Sequence, residues 1–332
     1  MTTERSIEPR QLGATGPTVF PFALGCMGMS GMYGATNDDE SIGTIHAALD
    51  NGVDLLDTGD FYGCGHNEML IGRALKDRRD RAMLSVKFGA LRSPEGGWIG
   101  VDGRPNSVKN FAAYSLTRLG VDHIDIYRLA RLDPQVPIEE TIGAIADLVK
   151  AGYVRHIGLS EVGVDTIRRA HSVHPICDLQ IEYSLISRDP ETAIFPVLDE
   201  LGIGVTAYGV LSRGLLSGSA PTAPNDFRAH LPRFSGENLT KNQPLIDELK
   251  KIAAEKGATP SQIAIAWVLA KNPKIIPLIG ARKLSQLSES LAAVQVRLST
   301  EELTHIEDAI PATAIAGTRY SEDQMQMLDS ER

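Results

Sequence analysis

The sequence predicts an α/β fold, a (β/α)8 TIM barrel forming one domain over residues 1–332, with an N-terminal β-hairpin and an extra C-terminal helix and tail. Three observations carry this. Short apolar runs alternate with longer amphipathic segments through eight units. No shift in composition marks a linker. The apolar runs also hand over abruptly to charged residues, glycine or tyrosine, as buried parallel strands do at their C-terminal edge. An open doubly wound sheet is the alternative arrangement of such units.

In chain order, residues 10–12 and 19–20 flank a Gly/Pro turn and read as the entry hairpin. A strand at 22–24 opens into a Gly/Met loop at 25–34. A helix over 38–51 follows, with Asn37 as its cap and Gly52 as its stop. Strand 53–56 leads to helix 67–76, and strand 83–86 to a long Gly/Pro loop at 89–105 and helix 107–119. Strand 124–129 precedes helix 138–150, strand 154–159 precedes helix 165–174, and strand 179–181 precedes helix 191–201. Strand 204–207 opens a Gly-, Pro- and Ser-rich loop at 209–242. Helices 245–256 and 260–271 then come before strand 275–278 and helix 284–294. A further helix at 300–310 and a polar tail complete the chain.

Composition narrows the function. The 33 basic and 42 acidic residues give a net charge of −9 with no basic block, which argues against an extended nucleic-acid or anionic-membrane surface. Three scattered cysteines, Cys26, Cys64 and Cys177, have neither disulfide-framework nor zinc spacing, so no metal site is expected. No apolar run approaches ~18 residues, and no apolar segment follows the N-terminus. The expected location is therefore the reducing cytoplasm, and the expected partner a small molecule.

Chemistry is expected where the strands end. The 53–56 run gives way to Asp57 and Tyr62, and the 83–86 run to Lys87. Free tyrosine titrates near ~10, too high for an efficient general acid at neutral pH. A nearby ammonium favours the phenolate, and Asp57 would fix and neutralise a buried Lys87. The same spacing also suits a plain Asp57–Lys87 ion pair with Tyr62 on the rim. A Gly-x-Gly-x-x-Gly turn after a strand, a Walker loop, a His-Glu-x-x-His helix and a Gly-x-Ser-x-Gly elbow are all missing from the sequence.

Longer motifs carry a resemblance. They are Arg10-Gln-Leu-Gly13, Gly25-Cys-Met-Gly-Met-Ser30, Asp57-Thr-Gly-Asp-Phe-Tyr-Gly63 and Ser85-Val-Lys-Phe-Gly89, then the stretches 118–127, 152–160 and 180–185. Tyr208-Gly-Val-Leu-Ser-Arg-Gly-Leu-Leu216, Ile276-Pro-Leu-Ile-Gly-Ala-Arg-Lys283 and Gly317-Thr-Arg-Tyr320 complete the series. Nearly end to end, the chain resembles the aldo-keto reductases, and within them the microbial and plant branch with pyridoxal and perakine reductases.

The resemblance implies a barrel that binds NADPH (NADP) across its C-terminal rim and reduces a small-molecule carbonyl substrate, an aldehyde or activated ketone. It implies Tyr62 as proton donor, Lys87 as the group lowering its pKa, and Asp57 as the holder of Lys87. Gly25 and Met27 are cofactor contacts, Ser160, Gln180 and Tyr208 fall at the nicotinamide end, and Leu211, Ser212 and Gly214 along the pyrophosphate. Gly280, Arg282, Lys283, Gln286 and Glu289 fall at the 2′-phosphate and adenine end. An anion site at residues 280–283, just before a helix, is physically sound on its own terms. Met29, Tyr33 and Trp98 in rim loops suggest an apolar, partly aromatic substrate pocket, although methionines also serve as packing filler.

Three departures stand out. The family's carboxamide-binding asparagine is Glu161, and its adenine-side arginine and asparagine are Gln286 and Ser290. The third is Ala130, which occupies the position of the catalytic histidine. Losing one donor aimed at a developing oxyanion typically costs ~10²–10³ in rate. His123 starts the same strand, at the far end, and His66 opens a helix. Arg128 faces the same side as Ala130, one layer down. It is expected either to support the reacting centre, pairing with Asp57 or the carbonyl oxygen, or to form a structural ion pair. A weakly active or inactive nicotinamide-cofactor-binding regulatory protein is the competing reading.

Overall fold

A computed structural model describes residues 7–221 and 226–332 of the chain. The loop expected over 209–242 is thus described except for 222–225. The entry hairpin pairs β1 (Arg10–Gln11) with β2 (Thr18–Val19). The barrel strands are β3 (Ala23–Gly25), β4 (Leu55–Gly59), β5 (Met83–Phe88), β8 (Ile124–Leu129), β9 (Val154–Ser160), β10 (Ile176–Glu182), β11 (Gly204–Tyr208) and β12 (Ile275–Gly280). Between β5 and β8 a second hairpin, β6 (Ala90–Arg92) with β7 (Trp98–Val101), leaves the barrel. The strands run β3-β4-β5-β8-β9-β10-β11-β12, all parallel, and β12 pairs with β3 to close the ring. This is the expected (β/α)8 barrel.

The helices are α1 (Asp38–Asp50), α2 (His66–Leu75), α3 (Pro105–Leu119), α4 (Ile138–Lys150), α5 (Val164–Val173), α6 (Ile194–Leu201), α7 (Asn238–Glu255), α8 (Pro260–Lys271), α9 (Leu284–Ala293), α10 (Thr300–Ala309) and α11 (Glu322–Met325). Their starts follow sequence chemistry. The Asn37 side chain accepts from the Glu40 amide at the head of α1, and Thr259 with Gln262, then Ser299 with Glu302, form reciprocal capping boxes on α8 and α10. The large apolar cluster lies between strands and helices, while a smaller one fills the barrel floor. There Leu12 and Val19 of the hairpin meet Ala23, Leu55, Ile126, Cys177, Ile276 and Leu278. Gly13, at φ +66°, lies so close that a Cβ would stand 2.2 Å from the Cys177 carbonyl oxygen.

Three boundaries differ from expectation for physical reasons. Strands β4 and β5 run on through Asp57 and Lys87, because the two charges satisfy each other inside the ring and need no exit to solvent. The 89–105 loop contains the β6–β7 hairpin, whose only sequence cue is the short run Trp98, Ile99 and Val101. Helix α7 starts at Asn238, upstream of its expected start at 245, and carries Pro244 inside. Pro244 is the seventh residue of the helix, so its missing N–H leaves the Thr240 carbonyl without its usual intrahelical donor.

Beyond α10 the tail turns back over the barrel mouth. Asn242 in α7 bonds both the Ala316 amide and its carbonyl, at 2.7 and 3.0 Å. Further on, Asp329 accepts from the Gly163 amide at 2.8 Å, just past the end of β9. The tail therefore straps the 226–242 loop to the rim.

Candidate active site

Alternation along each strand places a polar layer above the apolar floor. Asp57 on β4 receives the Lys87 ammonium from β5 on one carboxylate oxygen. Its other oxygen accepts from Ser85 at 2.8 Å and from Gln180 at 2.7 Å. Both charges are almost wholly buried, so each depends on the other: removing one partner of such a pair costs ~3–5 kcal/mol. Burial pushes the Lys87 ammonium below its ordinary pKa, with Asp57 pulling the other way.

Tyr62 follows β4 in a tight turn where Gly63 and Cys64 adopt left-handed conformations. Lys87 lies over its ring, 5.2 Å from the centroid. Burial pushes the Tyr62 phenol well above its usual range, and the Asp57 charge adds to that. The expected acidification by Lys87 is therefore not the dominant effect in the resting site, because the ammonium is committed to Asp57.

Arg128 resolves the alternative left open above. Fully buried, it donates to Asp178 at 3.0 Å and Ser85 at 3.2 Å, while Thr206 also donates to Asp178. It pairs with neither Asp57 nor the reacting centre, so its expected place in the substrate pocket is corrected to a structural ion pair. Gly158 makes the pair possible, since a Cβ there would stand 2.6 Å from Asp178 Oδ1 and 3.0 Å from the Arg128 guanidinium carbon. Ala130, just beyond β8 and almost fully buried, offers only a methyl group.

Met29, expected in the pocket, is fully buried in the main core, where an unbranched thioether packs well, so it is corrected to packing. Trp98 is 38% exposed on the β6–β7 hairpin, with Arg92 reaching over both its ring and that of Phe61. Tyr33 stands half-buried on the Gly/Met loop, and Arg282 donates to its carbonyl at 2.9 Å.

The expected cofactor residues lie along the rim. Gly25 and Gly280 pair directly across β3 and β12, leaving a shelf without side chains, with Met27 beside it. Ser160 and Gln180 end β9 and lie within β10, adjacent in register. Tyr208 closes β11, its hydroxyl held by Glu161 at 2.7 Å and Tyr320 at 3.0 Å. After Leu211, the residues Ser212, Arg213 and Gly214 all take positive φ, a strained turn of the kind that concentrates at functional sites. Ser212 itself is buried, its hydroxyl accepting from Arg233 at 3.2 Å, so it serves the turn rather than facing outward. Lys283 and Gln286 are exposed at the head of α9, whose first turn has no side-chain cap. Free amides and a lysine at a helix start suit a phosphate. Glu289 accepts from Thr259 at 2.6 Å, and Ser290 bonds back to the Gln286 carbonyl. A glycine shelf, a tyrosine at the end of a strand and an uncapped helix start have the chemistry to hold an extended phosphate-bearing cofactor.

Sequence reading missed a ring of ion pairs above this layer. Glu161, at φ +52° and fully buried, takes both guanidinium nitrogens of Arg319 at 2.8 and 2.7 Å. Burial alone would raise its carboxyl, but Arg319 overrides that and holds it down to about 2. Glu182 meets Arg213 at 3.0 Å and Arg233 at 3.3 Å, and Arg213 stacks on Tyr320, 4.5 Å from the ring centre. The available signal was Glu161 itself, a long acid where a carboxamide was expected.

The Aldo/keto reductase family pattern matches residues 21–311. A probable aldo-keto reductase 1 from Glycine max is 40% identical over 327 residues, covering 96% of this chain and 93% of its own. Among solved structures, a glycerol dehydrogenase from Gluconobacter oxydans superposes with a TM-score of 0.83 at 30% identity, covering 92% of this chain and 95% of its own. An aldo/keto reductase from Klebsiella pneumoniae, solved in complex with NADP and acetate, shares the fold at TM-score 0.73 and 23% identity, over 91% of this chain and 95% of its own.

Proposed function

The chain belongs to the aldo/keto reductase family, and on that premise we propose that it reduces an aldehyde or activated ketone to the alcohol with NADPH, Tyr62 giving the proton. The observation that carries this is the buried unit of Asp57, Lys87 and Tyr62 at adjoining strand ends. The bound nicotinamide supplies the hydride. Ser160 and Gln180 hold its carboxamide, Tyr208 backs its ring, and Lys283 with the head of α9 takes the 2′-phosphate. Leu211 and Gly214 line the path between them.

The raised pKa of Tyr62 keeps the phenol protonated across the physiological range. The alkoxide formed by hydride addition is a far stronger base than phenolate, so proton transfer from Tyr62 runs downhill. The Lys87 ammonium lies over the ring to meet the charge that Tyr62 then acquires. Asp57, fixed by Ser85 and Gln180, keeps Lys87 in place. The enzyme works as a single domain in the reducing cytosol, consistent with free cysteines at positions 26, 64 and 177.

Ala130 favours a second reading, a slow cofactor-binding regulator, because no histidine completes the oxyanion contacts. NADPH absorbance followed with a panel of aldehydes separates the two. Consumption that vanishes in Tyr62→Phe supports the reductase. A wild-type rate no higher than Tyr62→Phe, with NADPH still bound, leaves the regulator.

A further inference from the structure

Outside the reductase site, one cluster holds a nucleophile, a base and an acid in a single chain of contacts. Ser30 ends the short 3₁₀ turn Met27–Ser30, and its hydroxyl lies 2.9 Å from His66 Nδ1 at the start of α2. The other ring nitrogen of His66 stands 3.3 Å from Asp38, the first residue of α1, which Arg73 holds at 2.8 Å. The direction of the Ser30 proton follows from a neighbour. Asn67 is fully buried, and its Nδ2 faces the Cys26 carbonyl at 2.8 Å, an atom that can only accept. The same Nδ2 donates to Ser30 Oγ at 2.8 Å, while Asn67 Oδ1 accepts from Thr58 at 2.6 Å. The Ser30 proton therefore points to His66 Nδ1, which leaves the ring proton on Nε2, facing Asp38.

The local backbone brings these groups together. Gly63, Cys64 and Gly65 all take positive φ, and a Cβ on Gly63 would stand 3.1 Å from that of His66 and 3.2 Å from that of Ser30. Gly31 follows Ser30, exposed, at φ +85°, with open space where a side chain would be. Among the described residues its amide has no hydrogen-bond acceptor. The His66 and Asp38 side chains are 39% and 36% exposed, so a small molecule reaches them from solvent.

A serine proton handed to a histidine that a carboxylate orients activates the hydroxyl as a nucleophile, whatever the order of the three along the chain. The amide that follows such a serine commonly receives the oxyanion. We propose that Ser30 and His66, with Asp38 positioning the ring, form a second catalytic site, independent of the nicotinamide chemistry, that hydrolyses small uncharged esters. Ser30 Oγ adds to the ester carbonyl carbon as its proton passes to His66 Nδ1, and the Gly31 amide is free to meet the oxygen. The ester C–O bond then breaks, and the leaving alkoxide takes the Nδ1 proton. Water gives a proton to Nδ1 and adds to the acyl carbon, and the acid departs as Ser30 recovers that proton. Asp39 and Glu40 follow Asp38 on the exposed first turn of α1, so their field disfavours anionic esters.

The test treats the full-length protein, without cofactor, with a fluorophosphonate, and locates the adduct by peptide mass spectrometry. Hydrolysis of 4-nitrophenyl acetate follows turnover. The adduct should fall on Ser30, and hydrolysis should exceed that of Ser30→Ala by on the order of 10²-fold. His66→Gln should slow adduct formation by on the order of 10²- to 10⁴-fold. Asp38→Asn should slow it by about 2- to 5-fold, the worth of a partly exposed pair, with Asp38→Glu recovering part. The wild-type adduct decides without any variant having to fold, and failure of the reductase reading would leave it unchanged. No adduct, an adduct on another residue, equal hydrolysis by Ser30→Ala, or a His66→Gln that labels as fast as wild type overturns the proposal.

Discussion

Replacing Arg128 with methionine tests the buried ion pair at the centre of the barrel. The substitution removes a fully buried guanidinium and strands Asp178, which keeps only the Thr206 hydroxyl and a Cys177 thiol contact at 3.4 Å. Leaving a buried charge uncompensated costs ~3–5 kcal/mol. For domains of somewhat smaller size each kcal/mol shifts Tm by 2–4 °C, so the melting point should fall by roughly 6–20 °C. Replacing Asp178 with leucine in the same protein removes the stranded charge, and the double variant should recover most of the loss, because an apolar pair of similar volume is often neutral or better. Urea titrations followed by tryptophan fluorescence give the four corners of the cycle. At a temperature where Arg128→Met stays folded, its kcat should escape the ~10²–10³ loss expected of a lost oxyanion donor. A single variant costing under ~1 kcal/mol, or a double variant no better than the sum of its parts, refutes the buried-pair reasoning. A collapse in kcat at undiminished stability would return Arg128 to the chemistry.

Three further outcomes are expected. Ala130→His should raise kcat in the aldehyde assay by on the order of 10²–10³ if the missing donor limits the chemistry, and an unchanged rate means it does not. Asp60, pushed up to about 7 by burial and then by Glu68, is favoured in its protonated form in the fold. The stability it contributes is complete below its unfolded value near ~4 and is lost as pH rises through about 7. Asp60→Asn should flatten the fall in urea midpoint over this window, and parallel pH curves for the two proteins would contradict it. Glu161→Gln removes the carboxylate that anchors Arg319, so amides of the 317–332 strap should exchange on the order of 10- to 100-fold faster by mass spectrometry. Unaltered exchange would show that Glu331 and Asp329 hold the strap alone.

The barrel was legible because its strands are apolar runs and its helices carry a 3.6-residue period, so local pattern and global fold agree. Helix α4 matches its expected limits for that reason, and α8, apolar nearly all round, matches through its Thr259 cap and Pro260 start. What escaped lies in pairings between distant residues. The Asp57–Lys87 pair is the exception, foreseen from the two strand ends, and only the continuation of both strands through it was not. Arg128 finds Asp178 at a separation of 50, and the one local hint was Gly158, a glycine within a strand. Glu161 and Arg319 are 158 residues apart, so the strap could not be read from a polar tail. Asp57, Tyr62 and Lys87 were visible at the strand ends, and the roles proposed for them came from the family resemblance.

The seam between β12 and β3 sets the order in which the chain can fold. Most ring pairings join strands that follow one another, with Lys87 reaching Asp57 across 30 residues. At the seam Arg10 bonds the carbonyls of Asn272, Ile275 and Leu269, the first of them 262 residues away. On loop length alone, closing that span costs about 2 kcal/mol more than closing the shorter one. On that cost alone the seam is expected to close after the strands that carry Asp57, Lys87, Arg128 and Asp178 have paired, so that these charges lose water only once each has its partner. Barrel closure and the drying of the charged interior become one late event, and that event is the expected rate-limiting barrier to refolding.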